Sequence, residues 1–291
     1  MLSTLSTGVP EGVVCMPLKE AMQVYGVFLK KRLTTLDDPT GTFLYVPPKV
    51  DAGTIDLTVP SSASLIVSIG KQGKARLMQS FELKEVVANC FLDISLDDGA
   101  DLELKNKQLK APGFEIFQKT RATLKRDSRF VFRQYLEGAK KARQEIQVEL
   151  LGENAEAYLE GVTTLENDLT SEIYTFVRHL SPHARSRQHF KALLNHASKS
   201  SFDGTIYVHP TAQKTESYQL SNNLLLSDEA KAFVQPNLEI FADDVKASHG
   251  ATVTQVDKEA LFYLTSRGVS EEAARDFLVK GFVGELSECL P

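Results

Sequence analysis

Residues 144–155, Gln-Glu-Ile-Gln-Val-Glu-Leu-Leu-Gly-Glu-Asn-Ala, set the reading of this chain. Ile146, Val148 and Leu150 alternate with Gln147 and Glu149, the period of two that a strand with one buried face requires. Gly152-Glu153-Asn154 then breaks the run with residues that tolerate tight turns, and the small Ala155 follows.

The same grammar recurs outward in both directions. Alternating apolar positions stand at Leu57 and Val59, Leu102 and Leu104, Ile206 and Val208, and Leu238 and Ile240. Turn residues stand at Asp97-Asp98-Gly99, Lys125-Arg126-Asp127, Ser181-Pro182-His183, Asp203-Gly204 and Ser227-Asp228-Glu229. Ala100, Ser128, Ala155, Ala184 and Ala212 follow several of the turns at intervals of about 27 to 29 residues, which shorten to about 20 toward Ala230 and Ala251. Such recurrence predicts the stacked coils of a parallel β-helix, each burying its apolar strand faces against its neighbours. A β-sandwich shares the alternation and is the competing fold.

Both ends read as helix. Leu18, Ala21, Met22, Tyr25, Phe28 and Leu29 have helical spacing within residues 13 to 38, before the Asp37-Asp38-Pro39 breaker. After Val256, Asp257 caps a segment carrying Leu261 and Leu264, Gly268 ends it, and Ser270 caps a second with Glu271 and Glu272 at its positive end. Ala274, Phe277, Leu278, Gly281 and Phe282 form its apolar face. The expected organisation is an N-terminal helical segment (1–41), a β-helix core (42–256) and a C-terminal helical segment (257–291). The last covers the open end of the solenoid or offers a docking surface to a partner.

Of 291 residues, 42% are hydrophobic and 24% charged, the balance of a folded domain, and the net charge of −5 lacks the basic footprint of nucleic-acid binding. The start, MLSTLSTGVPEG, has no basic segment ahead of an apolar run, and no stretch is long and apolar enough to span a bilayer, so a cytoplasmic protein without membrane or nucleic-acid partners is expected. Cys15, Cys90 and Cys289 are odd in number and far apart, which argues for free thiols. Gly70-Lys71-Gln72-Gly73-Lys74 lacks the spacing and the Ser/Thr of a P-loop, and GxGxxG, HExxH and GxSxG do not occur. No active site of its own is expected, and no catalytic residue is assigned. His179 and His183 would share a helix face and hold a metal, but Pro182 between them favours turn or packing roles. Adjacent Asp243 and Asp244 read as a solvated turn.

The segment LEIFADDVKASHGAT, residues 238–252, resembles the signature of the SufB/SufD family of SUF iron–sulfur cluster assembly proteins, closest to its SufD-type members, where the segment runs LEIYADDVKCSHGAT. The likeness extends through SPHARSRQHFKALL at 181–194, SSFDG at 200–204 with IYVHP, AQKTESYQLSNNLLLS at 212–227 and LFYLTSRGVSEEAARDFLVKGFVGEL at 261–286. The resemblance implies a right-handed parallel β-helix with flanking helices. It also implies a non-catalytic scaffold subunit that pairs with a SufB-like paralogue and docks a SufC-like ABC ATPase, to which ATP hydrolysis belongs.

By the same resemblance Leu261, Leu264, Phe277, Leu278 and Phe282 would receive the ATPase. His249 would be one ligand for iron or a transient iron–sulfur cluster at the interface with the paralogue, the isolated chain holding no cofactor. A structural histidine at that interface is the alternative role. Ala247 stands where many members carry cysteine, so any thiolate there must come from the partner. Relatives of this kind carry a longer N-terminal helical region, which leaves the N-terminal contacts unassigned. Two rival functions stay open: a carbohydrate-active β-helix enzyme of the polysaccharide-lyase type, and a purely structural dimerisation module, as a homodimer or with the paralogue.

Overall fold

A computed structural model of the chain describes residues 4–5, 10–26, 29, 41–60 and 62–290. The early strands are β1 (Thr4–Leu5), β2 (Val14–Pro17), β3 (Gly41–Val46), β4 (Asp51–Pro60), β5 (Ser62–Ile69) and β6 (Lys74–Glu82). The middle of the chain forms β7 (Val87–Leu96), β8 (Asp101–Gln108), β9 (Ala111–Leu124), β10 (Arg129–Leu136), β11 (Ala139–Leu150) and β12 (Glu156–Leu165). The last are β13 (Thr170–His179), β14 (Arg185–Leu194), β15 (Lys199–Val208), β16 (Thr215–Leu225), β17 (Lys231–Ile240) and β18 (Val245–Gln255). Helix α1 (Leu18–Val24) lies near the start, and α2 (Lys258–Ser266), α3 (Glu271–Val283) and a 3₁₀ segment (Gly284–Cys289) close the chain.

From β3 onward, successive strands alternate between two sheets, β4-β6-β8-β10-β12-β14-β16-β18 and β3-β5-β7-β9-β11-β13-β15-β17, and every neighbour within these rows is parallel. This is a parallel β-solenoid of about seven turns, and the parallel ladders dispose of the sandwich. The inward residues stack by register. Leu77, Leu104, Phe132 and Leu159 form one column, each no more than 1% exposed, and Ile94, Ala122 and Val148 belong to the same core from the other sheet. On the outer face opposite charges sit in neighbouring coils, as where Arg133 bridges Glu103 and Glu160 and Arg185 reaches Glu156.

One corner repeats with little change. Gln72, Gly99, Asp127, Asn154, His183 and Lys214 all take φ between 56° and 67°, and each N–H donates to a carbonyl of the next coil, as from Asp127 to Glu153 (2.9 Å) and His183 to Gln213 (2.9 Å). The small residue that follows turns into the core: Ala100, Ser128, Ala155 and Ala184 are each at most 1% exposed, and in the next coil the position after Lys214 belongs to the equally buried Thr215, the expected Ala212 lying three residues earlier in the corner. The predicted shortening after Ala212 does not occur. Ala230 belongs to the opposite corner, between β16 and β17, and Ala251 lies inside β18, so both fall outside the column. The coils in fact lengthen, from 23 residues between register partners Asp51 and Lys74 to 31 between Arg185 and Glu216.

Two further expectations are corrected. Asp203-Gly204 is no turn but the middle of β15, where glycine is needed because a Cβ at 204 would stand 1.9 Å from Gln219 Nε2 and 2.8 Å from Thr175 Oγ1. The opening helix starts later than its periodicity predicts and is interrupted at Tyr25. Val14–Pro17 pairs antiparallel with β3, and Pro17, which has no N–H, stands at the boundary from which α1 runs only to Val24. Leu18, Ala21 and Leu29 are buried against Phe43 and Ile66 on the outside of the second sheet. Gly26 and Leu29 are again helical, and the rest of that predicted segment, Phe28 included, lies outside the described residues.

Candidate functional site

The C-terminal end of the solenoid presents the chemistry. β18 and β17 end their sheets, so each offers one unpaired backbone edge. Phe233 is 59% exposed and Phe241 60%, and Val253 on β18 is also exposed. Val234, Pro236 and Leu238, on the inward face of β17, are only half-buried because no further coil covers them.

His249 lies on β18 in register with Gln219 and therefore on the inward face, at the top of a column that continues to Gln188. Gln219 is 2% exposed and donates to Gln188 Oε1 at 3.3 Å, whereas His249 is exposed at the open end. Ala247 tops the adjacent column, above Ser217 and Ser186. Those two hydroxyls lie 2.6 Å apart, and Ser186 Oγ is 2.9 Å from His179 Nε2. An imidazole in this position can give one nitrogen to a metal or a hydrogen bond to a partner seated on the strand edges.

The helices form a second surface beside the first. Asp257 accepts from Glu259 N (2.9 Å) and Ala260 N (3.2 Å), Ser270 accepts from Ala273 N (3.3 Å), and Gly268 takes the positive φ that ends α2. Between α2 and α3 runs a groove of about 950 Å³ whose apolar lining is Phe262, Tyr263, Leu264, Phe277 and Leu278. Phe262 is 74% exposed and Phe277 66%.

Of the residues expected to dock a partner, Leu264, Phe277 and Leu278 line this groove. Leu261 instead faces the cleft against Leu225, Leu226 and Val256, and Phe282 packs with Val162, Leu193 and Leu224 on the solenoid wall. Phe262 and Tyr263 were missed; two adjacent aromatics on a helix with a thin apolar stripe were the available signal.

The other titratable candidates do not converge. His179 is fully buried at the end of β13, and burial pushes its imidazole down to about 3, while His183 occupies the left-handed corner, so the two do not form a metal pair. Asp244 pairs with Lys214 (2.7 Å) and its N–H donates to Gln213, while Asp243 is exposed in the same turn. Burial pushes the Cys90 thiol up to about 11 and the Cys289 thiol up to about 12, the latter helped by Glu160, and Cys15 is half-buried and raised for the same reason. Among the described residues no three His, Cys, Asp or Glu side chains gather as a metal site. No helix of the described residues is long and apolar enough to cross a membrane.

Fold and site together define a parallel β-solenoid whose C-terminal end combines open strand edges with an aromatic helix groove. The profile of the SUF system FeS cluster assembly SufBD core domain matches residues 56–282, and the chain belongs to this family. It is 35% identical over 156 residues to the iron–sulfur cluster assembly protein SufD of Escherichia coli K12, covering 54% of this chain and 37% of that one. Over 154 residues it is 34% identical to an iron–sulfur cluster assembly SufBD family protein of Synechocystis sp. PCC 6803, covering 53% and 34%. With the chloroplastic protein ABCI7 of Arabidopsis thaliana it shares 28% identity over 236 residues, covering 79% and 50%. These matches span between about a third and a half of each relative's length.

Proposed function

We propose that this chain is a non-catalytic, cytoplasmic scaffold subunit of iron–sulfur cluster assembly. It pairs through the β17 and β18 edges with a SufB-like paralogue and receives a SufC-like ATPase in the α2–α3 groove. The observation that carries this reading is the coincidence, at one end of the solenoid, of two uncovered strand edges and a separate groove bearing Phe262 and Phe277. Exposed edges and large exposed aromatics are costly on a chain that acts alone, and both are features of recognition surfaces. Family membership and the names of the relatives support the assembly role.

In this reading the cluster is cargo. His249 supplies one neutral nitrogen at the paired edge, a ligand that exchanges more readily than a thiolate and suits release. This chain has no thiol to add there: Ala247 occupies the neighbouring column, and Cys90 and Cys289 are buried thiols held in their protonated form. The partner must provide the sulfur ligands. ATP hydrolysis in the docked ATPase would move α2 and α3 and so disturb the edge beside them.

The test is an anaerobic affinity capture of this chain from its host, with partners identified by mass spectrometry and iron and sulfide measured in the eluate. Recovery of the ATPase and the paralogue together is expected. Recovery of neither while both are expressed would overturn the reading.

A further inference from the structure

We propose that Lys191 is the latch that seats the C-terminal helices on the solenoid and thereby fixes the aromatic groove relative to the strand edges. The part of this inference that concerns partner binding rests on the proposed function; the latch itself does not.

Lys191 lies in β14, in register with Val162 and Asn222. Its side chain is nonetheless only 6% exposed, because the end of α3 lies over it. A lysine this buried must have its charge met, and it is met entirely by the tail: Nζ donates to the Phe282 carbonyl at 2.7 Å and to Glu285 Oε2 at 2.8 Å, and lies 5.1 Å from the centre of the Phe282 ring. Phe282 is in the last turn of α3, where carbonyls lack intrahelical donors and the helix dipole is negative. Lys191 therefore caps the helix from outside it, through the sheet.

Little else holds the helices. α2 buries no residue, and α3 buries only Ala274 and Val283. Around the lysine, Val283, Leu286 and Cys289 pack on Val162, Leu193 and Leu224. The tail's other ion pair to the solenoid among the described residues, Lys105 to Glu288, is longer at 3.7 Å, and Glu288 is 66% exposed. Besides Leu261 of α2 in the cleft against Leu225, Leu226 and Val256, the attachment is centred on one patch at the C-terminal end of α3, with the groove-bearing faces of α2 and α3 turned away from it. Loosening that patch would leave the solenoid intact and release the pose of the groove.

The experiment compares Lys191→Met, Lys191→Arg and Glu285→Gln with the unaltered chain, by hydrogen exchange on the isolated protein and by binding to the host's SufC-like ATPase and its SufB-like paralogue. Loss of charge-assisted bonds in Lys191→Met is expected to speed exchange in residues 271–289 by at least about tenfold, with the strand amides unchanged. Glu285→Gln gives a smaller effect, and Lys191→Arg restores part of the protection. Affinity for the ATPase falls about tenfold in Lys191→Met while pairing with the paralogue is kept, a split that general destabilisation would not produce.

Equal tail exchange in Lys191→Met, Glu285→Gln and the unaltered chain would overturn the latch. A loosened tail in a chain that never captures the ATPase would uphold the latch and overturn the docking role of the groove. If Lys191→Met does not fold, Glu285→Gln decides the question, because Glu285 is 71% exposed and its loss leaves the core untouched.

Discussion

His249 stands directly over Gln219, one coil beyond it in the same inward column, yet Gln219 is 2% exposed and His249 is exposed. The two positions differ in one respect: a further coil covers Gln219, and among the described residues none covers His249. A residue placed as core by register has become surface by being last. His249→Ala should therefore fold with an unchanged unfolding midpoint and retain its complex, yet fail to support cluster assembly in cells lacking the native gene. Full complementation by this variant would reduce the histidine to a packing role at the interface.

Gly204 and Gln219 face each other across the interior. A methyl group on Gly204 would meet Gln219 Nε2 at 1.9 Å, too close to be absorbed without displacing the amide. Gly204→Ala is expected to cost about 1–3 kcal/mol of stability, the usual range for overpacking a filled interior. Adding Gln219→Ala should recover part of the loss, which a double-mutant cycle in urea unfolding would measure.

The left-handed corner gives a prediction of different size for two substitutions at one site. Asn154 has φ of 58°, and its Nδ2 donates to Asp127 Oδ1 at 3.0 Å. A β-branched side chain is strained there, so Asn154→Val should destabilise by about 1–2 kcal/mol or more. Asn154→Gly, which accepts the conformation without strain, should lose only the side-chain bond. Equal losses from the two would show that the stacked amide, rather than the backbone, holds the corner.

Burial of His179 sets a pH dependence. Its folded value, lowered by desolvation to about 3, lies below the ordinary 6.5, so the unfolded chain binds the extra proton first as pH falls. The contribution is complete above about 6.5 and is lost progressively as pH falls toward 3. The slope due to this one group is at most about 1.4 kcal/mol per pH unit within that window. His179→Gln should flatten the stability–pH curve from chemical denaturation there; an unchanged slope would assign the acid sensitivity to other groups.

The strands from Ile146 to Leu150 and their counterparts were legible because alternation and turn residues are local properties, written within a few positions of each other. The column from Ala100 to Ala184 was legible for a related reason: stacked coils impose nearly the same corner on each repeat, although in the next coil Thr215 rather than Ala212 continues it. The same inspection failed at Ala230 and Gly204. A small residue marks an opposite corner or a crowded strand interior as readily as a repeated turn, and only the partner across the solenoid tells them apart. Val14–Pro17 escaped because its strand pairing lies with β3, well ahead in sequence.

The amino-acid sequence by itself determined the alternating strands and their repeated turns, the two C-terminal helices capped by Asp257 and Ser270, and the likeness of the LEIFADDVKASHGAT segment to the SufB/SufD relatives. Each of these rests on residues close together in the chain, and together they left the sandwich as a rival to the solenoid until the parallel ladders removed it. The tertiary structure alone decided which side of the last strand His249 occupies, that Phe262 and Tyr263 rather than Leu261 and Phe282 face the open groove, and that Lys191 meets the end of α3. These relationships join residues a coil or more apart, and Lys191 and Phe282 lie at opposite ends of the last third of the chain. Their contact exists only once the solenoid has wound and the tail has folded back across its wall.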